Sequence, residues 1–338
     1  MSVVAVSEPT AGAQPLSSPQ SRWSSTQRAA LERLLEHVEP RFKKKCRRML
    51  YGEPVSFAQG WQDWYLFHNL FRDRLSWGNG TYVDIGSNNP TISSNTLFFD
   101  KCLGWRGVCF EPQARYHAAT RTQRSCTLVP NCVLGVAANA TLVGAGQLGR
   151  MVIDGEAPAG PGGRAAAGAA PKHPPPGGGN ASSEPQRQEC VVAGDVLPPL
   201  GIKSIDLLSL DVEGHEPNVL RCWPFARLPA YAVLVETNRF DLREVDRWFH
   251  RKGFVQDTTL ASGFNGGGRP RTVYTDNLYV RRPGGPALVP DAPWPSWKCD
   301  GDSRAHRSPF FCLPWLQWQP PPKEGWGECP HLPHPPDR

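Results

Sequence analysis

The order of apolar and polar positions separates stretches that can hold regular structure from stretches that cannot. Leu31, Leu34, Leu35 and Val38 recur at helical spacing, which predicts a short amphipathic helix over 26–38 that stops before Pro40. A second helix is expected over 57–75, where Trp61, Trp64, Tyr65, Leu70 and Phe71 stand among polar partners and Ser56 can serve as the cap. Apolar β runs then alternate with helical segments. Strands over 82–85, 107–111 and 127–134 enclose helices over 94–102 and 115–123; after an interruption, strands over 205–211, 231–237, 254–258 and 277–281 accompany helices over 216–222 and 242–252. This alternation predicts an α/β fold on a mostly parallel sheet covered on both faces.

Proline and glycine mark what lies outside that pattern. The 35 prolines among 338 residues are about twice the usual share, and they cluster, with seven in 158–185 and fourteen in 283–336. The stretch 157–187, with its Gly and Pro tracts, is too long for an ordinary connection and is expected to loop out of the domain; closure entropy grows only logarithmically with length, so both halves can still share one sheet. Residues 1–25, rich in Ser, Thr and Pro, are expected to be disordered. The organisation expected is therefore a disordered start (1–25), a basic helical segment (26–55), a main domain (56–282) and a Pro-, Trp- and Cys-rich tail (283–338). Tryptophans are costly to expose, so part of that tail, which carries Trp294, Trp297, Trp315, Trp318 and Trp326, is expected to pack on the domain.

Charge and cysteine content narrow the function classes. The net charge of +6 equals the sum of Arg41, Lys43, Lys44, Lys45, Arg47 and Arg48. Nucleic-acid-binding domains usually spread basic residues over a face, so this run is read as a solvated helix end rather than a phosphate-binding or nuclear-localisation patch, and a nucleic-acid partner is not expected. No run approaches the roughly 18 apolar residues that span a bilayer, and no apolar core follows a basic start; neither a membrane span nor a secretory signal is expected. The Ser-rich, acid-poor start has the composition of a transit peptide without its amphipathic pattern, which favours a soluble cytoplasmic protein over a plastid or mitochondrial one. The ten cysteines fall far below a disulfide scaffold, and most of them, seven lying between 46 and 222, are read as ordinary buried thiols. Cys299, Cys312 and Cys329 lack a C-x-x-C pair, and a tail disulfide with a partner elsewhere would need an oxidising compartment. Three N-x-S/T matches, at Asn79, Asn139 and Asn180, are read as chance in the absence of a secretory signal.

Three motifs carry candidate chemistry. In Tyr82-Val83-Asp84-Ile85-Gly86-Ser87-Asn88-Asn89-Pro90 a strand runs into a glycine-containing turn, the place where open α/β sheets bind ligands; Gly86 permits close backbone approach, and Asp84 can accept hydrogen bonds or meet a cation. G-x-G-x-x-G is missing, which argues against a nicotinamide-dependent oxidoreductase. In Val108-Cys109-Phe110-Glu111-Pro112 an apolar strand ends in an acid 27 residues after Asp84, placed to accept both hydroxyls of a ribose. In Leu208-Ser209-Leu210-Asp211-Val212-Glu213-Gly214-His215-Glu216 ionisable groups crowd the end of a buried strand, as acid/base sites require. A metal set would have to converge from a loop, and no metal is expected.

As a set, these motifs resemble the FkbM-type family of S-adenosylmethionine-dependent methyltransferases. Gly60-Trp61-Gln62-Asp63, Ser93-Ser94-Asn95-Thr96-Leu97-Phe98-Phe99, Gly104-Trp105-Arg106-Gly107 and Asp276-Asn277-Leu278-Tyr279-Val280 are similar to other segments of that family, and the likeness covers roughly 56–282 apart from the insertion. It implies a Rossmann-like class I methyltransferase fold with a seven-stranded sheet. It implies further that Asp84, Gly86, Ser87 and Asn88 shape the methionine end of the cofactor site, that Glu111 binds the ribose, and that Asn131 or Cys132 lies beside the adenine. Asp211 and Glu213 would face the transferred methyl group with His215 nearby, and each of the three is a candidate base. Pro90 departs from the family's more usual glycine.

The function this resemblance implies is O-methylation of a sugar or another small hydroxylated acceptor. Two alternatives are weighed beside it: a cofactor-binding interaction module without turnover, for which Pro90 and the tail speak, and methylation of nucleic acid or protein, for which only the basic run speaks.

Overall fold

A computed structural model describes residues 23–53, 55–72, 79–143, 150–154, 185–237, 240–257 and 276–281. Expectations for the N-terminal 22 residues, most of the insertion, the packing of the tail tryptophans and Cys299, Cys312 and Cys329 lie outside the described residues.

The chain begins with two helices. Ser24 and Gln27 form a reciprocal capping box that starts α1 (Ser25–Glu36). Pro40 opens α2 (Pro40–Leu50), because proline at the first turn forfeits no helical N–H bond. α2 buries Phe42, Cys46, Met49 and Leu50 and turns its basic positions outward, where Arg41, Arg47 and Arg48 pair with Glu39, Glu32 and Glu53. The arginines of the basic run are thus on a solvated, ion-paired helix face, while Lys45 lies over the Phe57 ring. The helix expected over 57–75 is broken: Trp61 is left-handed at φ 68°, and among the described residues only the short α3 (Gln62–Leu66) and a π-helical turn, Phe67–Phe71, follow. Ser56 does not cap it. Its hydroxyl bonds the buried carboxylate of Asp63, which also accepts the Phe57 N–H at 2.7 Å and holds the loop in place of a longer helix.

The main body runs β1 (Thr81–Ile85), α4 (Leu97–Lys101), β2 (Arg106–Phe110), α5 (Ala114–Gln123) and β3 (Thr127–Val129), then β4 (Cys132–Val133), β5 (Ala138–Val143), β6 (Arg150–Ile153), β7 (Gln186–Val191) and α6 (Ala193–Val196). It closes with β8 (Ile205–Leu210), α7 (Glu216–Arg221), β9 (Ala230–Glu236), α8 (Leu242–Arg251), β10 (Phe254–Asp257) and β11 (Asp276–Arg281). Seven strands form one sheet in the order β10-β11-β9-β8-β1-β2-β3. It is mixed rather than parallel throughout, since β11 pairs antiparallel with both β9 and β10 while the other pairings are parallel.

Both faces of this sheet are buried, and the period of two sorts the side chains. Tyr82, Cys109, Leu207, Ala232, Leu234 and Leu278 pack under the N-terminal helices, α4 and the aromatic residues between them. Val83, Ile85, Val108, Phe110, Leu208, Leu210, Val233 and Val235 pack on the opposite face with Val219, Leu220, Trp248 and Phe249 of α7 and α8. α4 starts at Leu97 rather than at Ser94, because Ser93 is left-handed at φ 58° and the Ser94 hydroxyl accepts the N–H groups of Thr96 and Leu97.

The strand expected over 127–134 divides at Pro130, which has no N–H to continue a ladder. β4 leaves the main sheet and joins a second one, ordered β4-β7-β5-β6, that the sequence pattern did not predict. Its strands are half exposed, with the polar sequence Gln186-Arg187-Gln188-Glu189 in β7, and its small core is Cys132, Leu134, Ala140, Leu142, Met151 and Cys190.

The cysteines overturn their reading as free thiols. Cys46–Cys102, Cys109–Cys126 and Cys132–Cys190 are disulfides with Cα–Cα distances of 5.3, 5.9 and 4.4 Å, and Cys222 is disulfide-bonded as well. Every cysteine among the described residues is therefore oxidised. Partners lie up to 58 positions apart, and such pairing follows from the folded register, as where Cys132 stands opposite Cys190, not from sequence spacing.

Candidate active site

The three motifs meet at one edge of the main sheet. Ile85, Phe110 and Leu210 are neighbours in register at the carboxyl ends of β1, β2 and β8. Beyond them the ladder continues for one step: Asp211 N–H donates to Ile85 O at 3.0 Å, and Gly86 and Ser87 N–H both donate to Phe110 O. The turns that follow are bent into the left-handed region, at Gly86 (φ 81°), Asn88 (φ 49°), Glu213 (φ 56°) and Gly214 (φ 111°). That conformation is costly for the two non-glycine residues, and such strain collects where a site must be held in shape. Gly86 is required twice over, because a Cβ there would stand 1.8 Å from Asp211 O.

Glu111 is 1% exposed. Its two carboxylate oxygens accept the N–H groups of Asn88, at 2.6 Å, and Gln113, at 2.7 Å, so this acid joins the first loop to the second. Burial pushes its pKa up to about 7 against those two hydrogen bonds. Beside it the Ser87 hydroxyl is buried without a hydrogen-bond partner among the described residues, the kind of polar atom that a ligand completes.

Asp84 is buried behind the loop. It accepts from Thr96 and faces Arg124, whose Nη1 lies 3.8 Å away; burial raises its pKa, and Arg124 and Thr96 oppose the rise. The fully buried Arg124 also bonds Asp100 at 2.6 Å, Tyr82, Ser94 and the Pro90 carbonyl. The expected cation near Asp84 is thus one of the protein's own residues, and Pro90 is integrated through its carbonyl. Nothing in the sequence distinguished Arg124 from its neighbours.

On the other side of Gly86 lies an acidic cluster. Carboxylate oxygens of Asp211, Glu216 and Glu236 lie within 4.8 Å of one another. Asp211 opens to solvent along part of its surface, yet surrounding protein and then the charges of Glu236, Asp276, Glu213 and Glu216 push its pKa well up. Glu236 is pushed up to about 7 by burial and then by the charges of Glu213 and Glu216, against a hydrogen bond with Asp211. Glu216 is engaged in shaping the loop, accepting the N–H groups of Val212, at 2.8 Å, and Gly214. Asp276 stands opposite Glu236 on β11 and accepts from Gln62 at 2.8 Å.

Glu236, Asp276 and Gln62 were not among the predicted site residues. Glu236 carried the same signal as Glu111, an acid ending an apolar strand. His215 points to the second sheet, its Nε2 donating to Met151 O at 2.8 Å. Asn131 and Cys132 follow the carboxyl end of β3, where the Asn131 amide donates to Glu189 O and Cys132 is bonded to Cys190.

A family model, the methyltransferase FkbM domain, matches residues 84–255. The chain belongs to that family. The match to the FkbM methyltransferases begins at Asp84 and takes in both loops, Glu111, the Asp211 to Glu216 segment and Glu236; Gln62 and Asp276 lie beyond it. Curated proteins and solved structures yield no match. Among the described residues no helix is long and apolar enough to cross a membrane.

Proposed function

We infer that this FkbM methyltransferase uses S-adenosylmethionine to O-methylate a small, hydroxyl-rich acceptor such as a sugar. The observation that carries the reading is one edge of the sheet that sets the buried Glu111 and Ser87 on one side of Gly86 and the adjoining carboxylates of Asp211 and Glu236 on the other. The residues fit the cofactor: Glu111 keeps lone pairs for two ribose hydroxyls, and Ser87 offers an unfilled hydroxyl. When bound, S-adenosylmethionine supplies an electrophilic methyl group on sulfur.

The chain supplies position and proton control. Asp84, locked by Arg124 and Thr96, acts as a positioning residue for the first loop rather than as a ligand contact. The ionised carboxylate of the Asp211–Glu236 pair accepts the proton of the acceptor hydroxyl, and the burial and like charge that raise both groups make the pair a better base than an ordinary carboxylate. Glu213 and Asp276 add hydrogen-bond acceptors that suit a polyhydroxylated molecule. His215, held by Met151, supports the loop and lines it. Alignment contributes more than the base, since orientation is worth roughly 7–11 kcal/mol and a general base only 10²–10⁴-fold.

Calorimetric titration of S-adenosylmethionine and its demethylated product tests the reading, with Glu111→Ala and Glu111→Gln as controls. Saturable binding that weakens at least about tenfold in both variants, a loss of about 1.4 kcal/mol, is expected. Absence of binding by the intact chain would sink it.

A further inference from the structure

We propose that Asn79 and Asn139 are N-glycosylated and that the protein matures in an oxidising, glycosylating compartment. Read alone, the N-x-S/T matches carry little weight. The disulfides change that. Cys46–Cys102, Cys109–Cys126, Cys132–Cys190 and the bonded Cys222 leave no reduced cysteine among the described residues, and structural disulfides form and persist in secretory and extracellular settings, not in a reducing cytosol. Each of the three bonds is buried at one or both of its ends and joins separate elements, so they belong to the fold rather than to a reactive surface.

The two acceptor sites are open where the modification needs them to be. Asn79 is exposed, just before β1, with the hydroxyl residue Thr81 two positions on. It sits at the amino end of the strand whose carboxyl end carries Gly86, about 23 Å away at ~3.3 Å per residue, so a glycan there clears the site. Asn139 is exposed on β5, and Thr141 shares its face by the period of two while Ala140 and Leu142 point into the small core. A glycan on Asn139 therefore projects away from the core of the second sheet. The third match, Asn180, lies outside the described residues.

In the transfer, the asparagine amide nitrogen bonds to the anomeric carbon of a polyprenyl-pyrophosphate-linked oligosaccharide. The bond from that carbon to the pyrophosphate oxygen breaks, the lipid pyrophosphate leaves with the electron pair, and one amide proton is released. The modified side chain is bulky and solubilising, and it demands a surface position.

The test uses the full chain isolated from its own cells. Treatment with a peptide-N-glycosidase in heavy-oxygen water, followed by peptide mass spectrometry, is expected to report labelled aspartate at positions 79 and 139. Alkylation of the denatured, unreduced chain is expected to label none of the seven described cysteines. Thr81→Ala and Thr141→Ala, which keep both asparagines and the Thr81 N–H bond to Asp206, should each remove one glycan and its mobility shift. Unlabelled asparagine at both positions in the native chain overturns the modification; free thiols at these cysteines overturn the compartment on which it rests.

Discussion

Glu111 shows how much one side chain sets the behaviour of this site. Its pKa, raised to about 7 by burial, lies above the unfolded value of 4.5, so the folded state holds the extra proton between those limits. The sign follows from linkage: stability falls as pH rises through that window and returns as pH drops. Asp63, raised to about 6, acts in the same sense. The ligand-free protein is expected to gain roughly 3 kcal/mol from Glu111 alone between about pH 8 and about pH 4, visible as a higher thermal midpoint, and Glu111→Gln should flatten that slope. Cofactor affinity should move the opposite way, strengthening as pH rises through about 7, because ribose hydroxyls donate to the ionised carboxylate; a titration series in pH separates the two effects. Glu111 was legible in the sequence because an apolar strand ending in an acid is a local pattern. Arg124 was not, since its role depends on Asp84, Asp100 and Tyr82 arriving from other elements.

At the scale of elements, the join between the first loop and β8 is the sensitive point. Gly86→Ala would place a methyl group against the Asp211 carbonyl in a left-handed turn, so a loss of more than about 1 kcal/mol and of cofactor binding is expected by thermal denaturation and calorimetry. The second sheet should behave differently. Replacing Cys132 and Cys190 together by serine is expected to cost about 2–4 kcal/mol while leaving S-adenosylmethionine affinity within about twofold, as both side chains are buried in the core of the second sheet. The alternation of strands and helices made the main sheet readable in advance, with its motif ends in place. The second sheet escaped because its strands are short and half exposed, and the helix over 57–75 failed because one buried acid, Asp63, offered the backbone better partners than a helix did.

At the scale of the molecule, the N-terminal helices are part of the main body. Leu31, Leu35, Phe42, Met49 and Leu50 are buried in the cluster that covers one face of the seven-stranded sheet, and Cys46–Cys102 ties α2 to the end of α4. Removing residues 1–53 is therefore expected to yield an aggregating chain, checked by size-exclusion chromatography against the full protein. The contact of His215 with Met151 has a further consequence. On the proposed reading, it sets the second sheet beside the loop that carries Asp211 and Glu213, while the first sheet holds the strands from which both acceptor and cofactor loops spring. The long insertion falls between β6 and β7 and so interrupts only the second sheet. Under the proposed function, the part of the chain that carries the insertion is thus separate from the part that holds the reacting groups.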